Sequence, residues 1–128
     1  MEPRYEPLGA IFSTADAEFP RLVAEGGSLR VTYCDWRERN VALVFHEVVA
    51  YSWDDGDAAV DPAHRDDTSY VVHNSPWLAR HREIGTLMPS QEHRHFKLCF
   101  NAAGVLQVLA ARLEDEAEPG AAPDRGGR

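Results

Sequence analysis

Long apolar runs are missing from this 128-residue chain. No stretch approaches the ~20 apolar residues that a membrane-spanning helix needs. The opening residues, Met1-Glu2-Pro3-Arg4-Tyr5-Glu6-Pro7, lack the apolar core of an export signal. Cysteine is scarce, with only Cys34 and Cys99. A secreted domain this small usually carries more bridges, so both read as reduced thiols of a cytoplasmic protein. Catalytic signatures are absent too: no phosphate-cradling glycine loop, no Gly-x-Ser-x-Gly elbow and no His-Glu-x-x-His pair. No cofactor is expected.

What is present fits one folded domain. Hydrophobic residues make up 44% and charged residues 27%, the balance of a globular protein. Two tandem domains would each bury too little surface to stand alone. The net charge of −8 is unevenly spread. Asp54, Asp55, Asp57, Asp61, Asp66 and Asp67 share their stretch with one base, Arg65, for a local charge of −5. From Glu114 to Arg128, five acids meet two bases, for −3. The rest balances. A neutral body with an acidic loop and tail disfavours nucleic acid, whose phosphates need a basic face, and it favours a basic protein partner. Trp36 sits in a charged turn, where an interface anchor would stand. Trp36 and the six aspartates are therefore the expected partner-binding residues.

The pattern along the chain predicts its elements. Residues 1–7 read as an arm and 8–12 as a short strand. Pro20 predicts a short helix that stops at Gly26-Gly27. Leu29, Val31 and Tyr33 alternate with polar neighbours, as do Val41, Leu43 and Phe45, and each run has the period of a strand. Val49, Tyr51 and Trp53 continue the run after polar Glu47 interrupts it, so a bulge is expected at Phe45-His46-Glu47-Val48 within a long antiparallel hairpin. Residues 68–73 form the next strand. Ser75 and Pro76 have the order of a cap and first helical residue, with Gly85 as the stop. Residues 95–100 read as a strand and Asn101-Ala102-Ala103-Gly104 as a turn. Residues 105–113 are read as a strand, although Leu106, Leu109 and Leu113 also have helical spacing. The expected fold is α+β: a single antiparallel, strongly twisted sheet of five or six strands with one or two short helices. It spans 1–113, followed by a disordered tail over 114–128.

A second function class centres on residues 93–99. His93 and His95 share a strand parity, as two metal ligands would, with His46, His73 or Cys99 available as a third. Arg94 and Lys97 oppose a cation there. The run Asp55-Gly56-Asp57…Asp61…Asp66 has some carboxylates of a calcium loop but lacks its turn glycine and its final glutamate. No metal is expected. The alternative to a binding protein is a small hydrolase or metal-dependent enzyme built on the His93–Cys99 strand.

One ordered set of segments is familiar: Val41-Ala42-Leu43-Val44-Phe45-His46-Glu47-Val48, then Asn74-Ser75-Pro76-Trp77-Leu78, then the run from His95 through Asn101-Ala102-Ala103-Gly104 to Ala110. It resembles small α+β immunity proteins of bacterial polymorphic-toxin systems and related uncharacterised bacterial domains, over about residues 29–113. The resemblance implies a single-domain inhibitor that sequesters a cognate toxin enzyme in the cytoplasm. It carries no catalytic motif.

Overall fold

The apolar alternation builds two faces that need each other. The computed structural model describes residues 2–8, 12–55, 68–88 and 90–116. β3 (Ser28–Cys34) buries Leu29, Val31 and Tyr33, and β4 (Asn40–His46) buries Val41, Leu43 and Phe45. The two pair as an antiparallel hairpin. β2 (Arg21–Glu25) lies on the far side of β3, and β9 (Arg112–Asp115) on the far side of β4.

A second antiparallel sheet faces this one. It holds β1 (Arg4–Pro7), β6 (Ser69–His73), β7 (Arg94–Phe100), β8 (Gly104–Ala110) and β5 (Ala50–Asp55), in the order β1-β6-β7-β8-β5. Val71, Phe96, Leu98, Phe100, Leu106 and Val108 form its inner face and join the residues of β3 and β4 in one core. Rings meet across the gap, Phe45 with Phe96 at 5.4 Å and Tyr33 with Phe100 at 5.1 Å between centroids. The arrangement is a β-sandwich. Its one helix among the described residues is α1 (Pro76–Glu83), capped by Ser75 with Pro76 in its first turn.

The expectation of a single α+β sheet is therefore wrong. The described chain is mostly strand, in two sheets with one short helix. The interruption after Phe45, expected as a bulge, is the point where the chain changes sheets. Glu47 takes a positive φ of 56°, Val48 N–H donates to the Gly27 carbonyl, and β5 then pairs with β8 instead of β4. The return crossing runs beside it, where Ala111 N–H donates to the His46 carbonyl between β8 and β9. Two amphipathic hairpins cover each other's apolar faces, which one sheet with a single short helix would leave half exposed.

Other expectations are corrected locally. The segment after Pro20 is strand β2, because Gly26 and Gly27 (φ 59° and 83°) form a two-residue hairpin turn instead of stopping a helix. The arm is in part β1, paired with β6. The expected strand over 8–12 is not seen in its described part: β1 ends at Pro7, and residues 9–11 lie outside the described residues. The C-terminal boundary moves outward. β9 runs to Asp115, and Glu116 N–H donates to the Ala42 carbonyl. Residues 117–128 lie outside the described residues.

Candidate protein-binding surface

One end of the sandwich is built to present aromatic rings among carboxylates. The turn between β3 and β4 is organised by Asp35, which is buried. Its Oδ1 accepts the backbone N–H groups of Arg37 at 2.9 Å and Arg39 at 2.8 Å, and its Oδ2 accepts from Arg39 Nε at 3.2 Å. An aspartate that satisfies backbone donors two and four residues on closes the turn and fixes its shape. Trp36 is left pointing outward with 54% of its surface exposed. The Arg37 guanidinium lies 4.8 Å from its ring centroid, a cation–π contact.

Residues 16–19 are tied to the same end. Glu18 N–H donates to the Cys34 carbonyl at 3.1 Å. Asp16 N–H donates to Asn101 Oδ1 at 2.8 Å, and Asn101 Nδ2 donates back to Asp16 Oδ1 at 3.1 Å. Pro20 is buried, and Phe19 before it is 63% exposed. Phe19 rests on Trp53, with ring centroids 5.1 Å apart, and Trp53 rests in turn on Phe100 at 6.0 Å. Trp53 Nε1 donates to Asp55 Oδ1 at 2.6 Å. Gly104 makes this packing feasible: a Cβ there would lie 2.4 Å from the Asp54 carbonyl oxygen and 2.7 Å from Trp53 Cζ2.

The result is a surface carrying Phe19 and Trp36 with Asp16, Glu18, Glu38, Asp54 and Asp55, all exposed. The bases of the turn are Arg37, over Trp36, and Arg39, paired with Asp35. The carboxylates are felt locally. Partial burial, followed by the charges of Glu18, Asp35 and Glu38, holds the Cys34 thiol above its ordinary pKa. Cys34 is thus kept protonated, a poor nucleophile.

Of the expected partner-binding residues, Trp36, Asp54 and Asp55 fall on this end. Asp57, Asp61, Asp66 and Asp67 lie outside the described residues. Phe19, Glu18 and Glu38 were not anticipated. Glu38 carried a faint signal, its place in the same charged turn as Trp36. Phe19 carried none, since a phenylalanine beside a proline reads as core.

The histidines go separate ways. His46 Nε2 meets Glu114 Oε1 at 2.8 Å, and His73 Nε2 meets Glu6 Oε1 at 2.5 Å. His93 Nε2 donates to the Glu47 carbonyl at 2.8 Å. His95 accepts from Ser75 Oγ at Nδ1 (2.7 Å) and donates from Nε2 to Gln107 Oε1 (2.8 Å). Among the described residues, no three His, Cys, Asp or Glu side chains gather as a metal would require.

The Ser75–His95–Gln107 chain has the connectivity of a nucleophile, a base and an orienting group. Its setting is structural. Ser75 Oγ also accepts the Leu78 N–H as the cap of α1, and Ser75 and His95 are only 5% and 6% exposed. Trp77 closes over the imidazole at 5.2 Å between ring centroids. A neutral Gln107 also offers no charge to stabilise an imidazolium. Burial, with a smaller push from Lys97, lowers the His95 pKa to about 4, against an opposing contribution from the Gln107 hydrogen bond.

Two further observations bound the reading. No described helix is long and apolar enough to cross a membrane. Comparison with family models, curated proteins and solved structures returns no match.

Proposed function

We propose that this chain is a binding protein, an immunity-type inhibitor that sequesters a basic toxin enzyme in the cytoplasm through the end of the sandwich bearing Phe19 and Trp36. The observation that carries the reading is the exposure of these two rings on a rigid frame, among the exposed carboxylates of Asp16, Glu18, Glu38, Asp54 and Asp55. Exposed aromatics that are already held in place lose little freedom on docking, which is how interface anchors act. The surrounding acids attract a partner of positive charge and repel a phosphate backbone. Asp54 and Asp55 are also the first two acids of the sequence's most acidic stretch.

Affinity capture from the native host tests the reading. The tagged wild type is compared with a Phe19→Ala/Trp36→Ala variant shown to be folded at the capture temperature. The expected result is a basic protein held by the wild type and lost by the variant, whose enzymatic activity is blocked on adding the purified chain. Equal capture by both proteins, or capture without inhibition, contradicts it.

A further inference from the structure

β2 is an open edge with an unusual sequence. Its five residues, Arg21-Leu22-Val23-Ala24-Glu25, pair with β3 on one side and with no described strand on the other. Sheet edges are normally defended by proline, lysine, bulges or unbalanced charge. The other three edges of the two described sheets fit that rule. β1 contains Pro7, β5 ends in Asp54 and Asp55, and β9 carries Arg112, Glu114 and Asp115. β2 has no proline, no bulge and no net charge. Its central residue, Val23, is 47% exposed.

Register shows which backbone groups are free. The two-residue Gly26-Gly27 turn makes Glu25 and Ser28 a hydrogen-bonded pair, so Val23–Arg30 and Arg21–Thr32 are hydrogen-bonded pairs as well. The N–H and C=O groups of Leu22 and Ala24 therefore point away from β3, towards the open side. Arg21, Val23 and Glu25 project from the outer face of the sheet, while Leu22 opposes the buried Val31 on the inner face.

We propose that β2 is a self-association edge, whose occupant is β2 of a second copy of this chain, antiparallel and centred on Val23. In that register Leu22 opposes the partner subunit's Ala24, so the free backbone groups of both strands meet as hydrogen-bonded pairs. Val23 packs beside the partner's Val23 on the two-fold axis. Arg21 lies opposite the partner's Glu25, and Glu25 opposite the partner's Arg21. Neither Arg21 nor Glu25 has an ion pair among the described residues of its own chain. Slipping the pairing by two residues in either direction puts Val23 against a charge and loses both ion pairs. The two four-stranded sheets become one continuous eight-stranded sheet. Five-residue strands bury little area, so the dimer is a weak one that forms as concentration rises.

Sedimentation of the full chain from about 10 μM to about 1 mM tests this. The average mass should climb from 14.3 kDa towards twice that value. Arg21→Glu reverses two contacts at once by symmetry and should weaken association at least ~10-fold. Arg21→Glu/Glu25→Arg restores the complementarity and should return association to the wild-type range. Ala24→Pro removes only an outward N–H, which an edge strand tolerates, and should abolish association while leaving the monomer folded. A wild type that stays at single-chain mass throughout overturns the proposal. So does equal association of the single and double charge variants, or a folded Ala24→Pro that dimerises like the wild type.

Discussion

Phe19 lies 5.1 Å from Trp53, centroid to centroid, and most of its own ring remains open to solvent. Trp53 is held from behind by Phe100 and at its indole nitrogen by Asp55. The exposed ring is therefore fixed by a stack that reaches into the core. This relationship joins the stability of the sandwich to its proposed contact surface, and mutations there should separate the two.

Gly104→Ala should destabilise the protein by about 1–3 kcal/mol, the range for overpacking. The added methyl collides with backbone at Asp54 as well as with the Trp53 ring, and backbone cannot swing away. Denaturant unfolding followed by tryptophan fluorescence measures the loss. An unchanged midpoint would show that β5 and β8 have slack that their register does not suggest.

Ser75→Ala should cost about 1–3 kcal/mol, since it removes the cap of α1 and leaves His95 Nδ1 without its donor. Ser75→Thr keeps the hydroxyl and should recover most of the loss. If the hydroxyl were a nucleophile with no structural role, the alanine variant would fold as stably as the wild type.

These two positions show what was legible from residues alone. Ser75-Pro76 announced a helix start, because a capping hydroxyl and a proline have few other uses in that order. The β3–β4 pairing was legible from strict alternation. The change of sheet after Phe45 was not, since an interrupted alternation describes a bulge and a crossover equally well. Gly26-Gly27 misled for a similar reason: paired glycines end helices and also close hairpins. At the candidate surface, Trp36 was legible because its neighbours are charged. Phe19 was not, because its exposure depends on Pro20 being buried and on Glu18 binding the Cys34 carbonyl.

His95 makes stability depend on pH with a definite sign. Its pKa in the folded protein is about 4, below the ordinary 6.5, so the unfolded chain takes up a proton first as pH falls. The contribution is fully present above pH ~6.5 and is lost as the pH falls towards about 4. It amounts to about 3 kcal/mol at most. Melting temperature against pH should fall through this window, and His95→Gln should flatten the slope. An equally steep slope in the variant would assign the dependence to other groups.

Trp36→Ala should leave folding within about 0.5 kcal/mol of wild type, because the residue is more than half exposed on a surface turn. Phe19→Ala loses an aromatic contact as well and should cost about 0.5–1.5 kcal/mol. Both should raise the dissociation rate of the captured partner, by the equivalent of ~2 kcal/mol for an anchor residue. Thermal unfolding and dissociation kinetics on the same samples separate the two effects.

The most direct test of the proposed surface is the association rate of the captured partner with a Glu18→Gln/Glu38→Gln/Asp54→Asn variant at low and high salt. These changes keep size and polarity and remove three charges from exposed positions at one end of the sandwich. Electrostatic steering acts on the on-rate and is screened by salt. The account predicts slower association of the variant at low salt, convergence with wild type at high salt, and unchanged thermal stability. Association as fast as wild type at both salt concentrations would contradict it, and would place the interface away from Phe19 and Trp36.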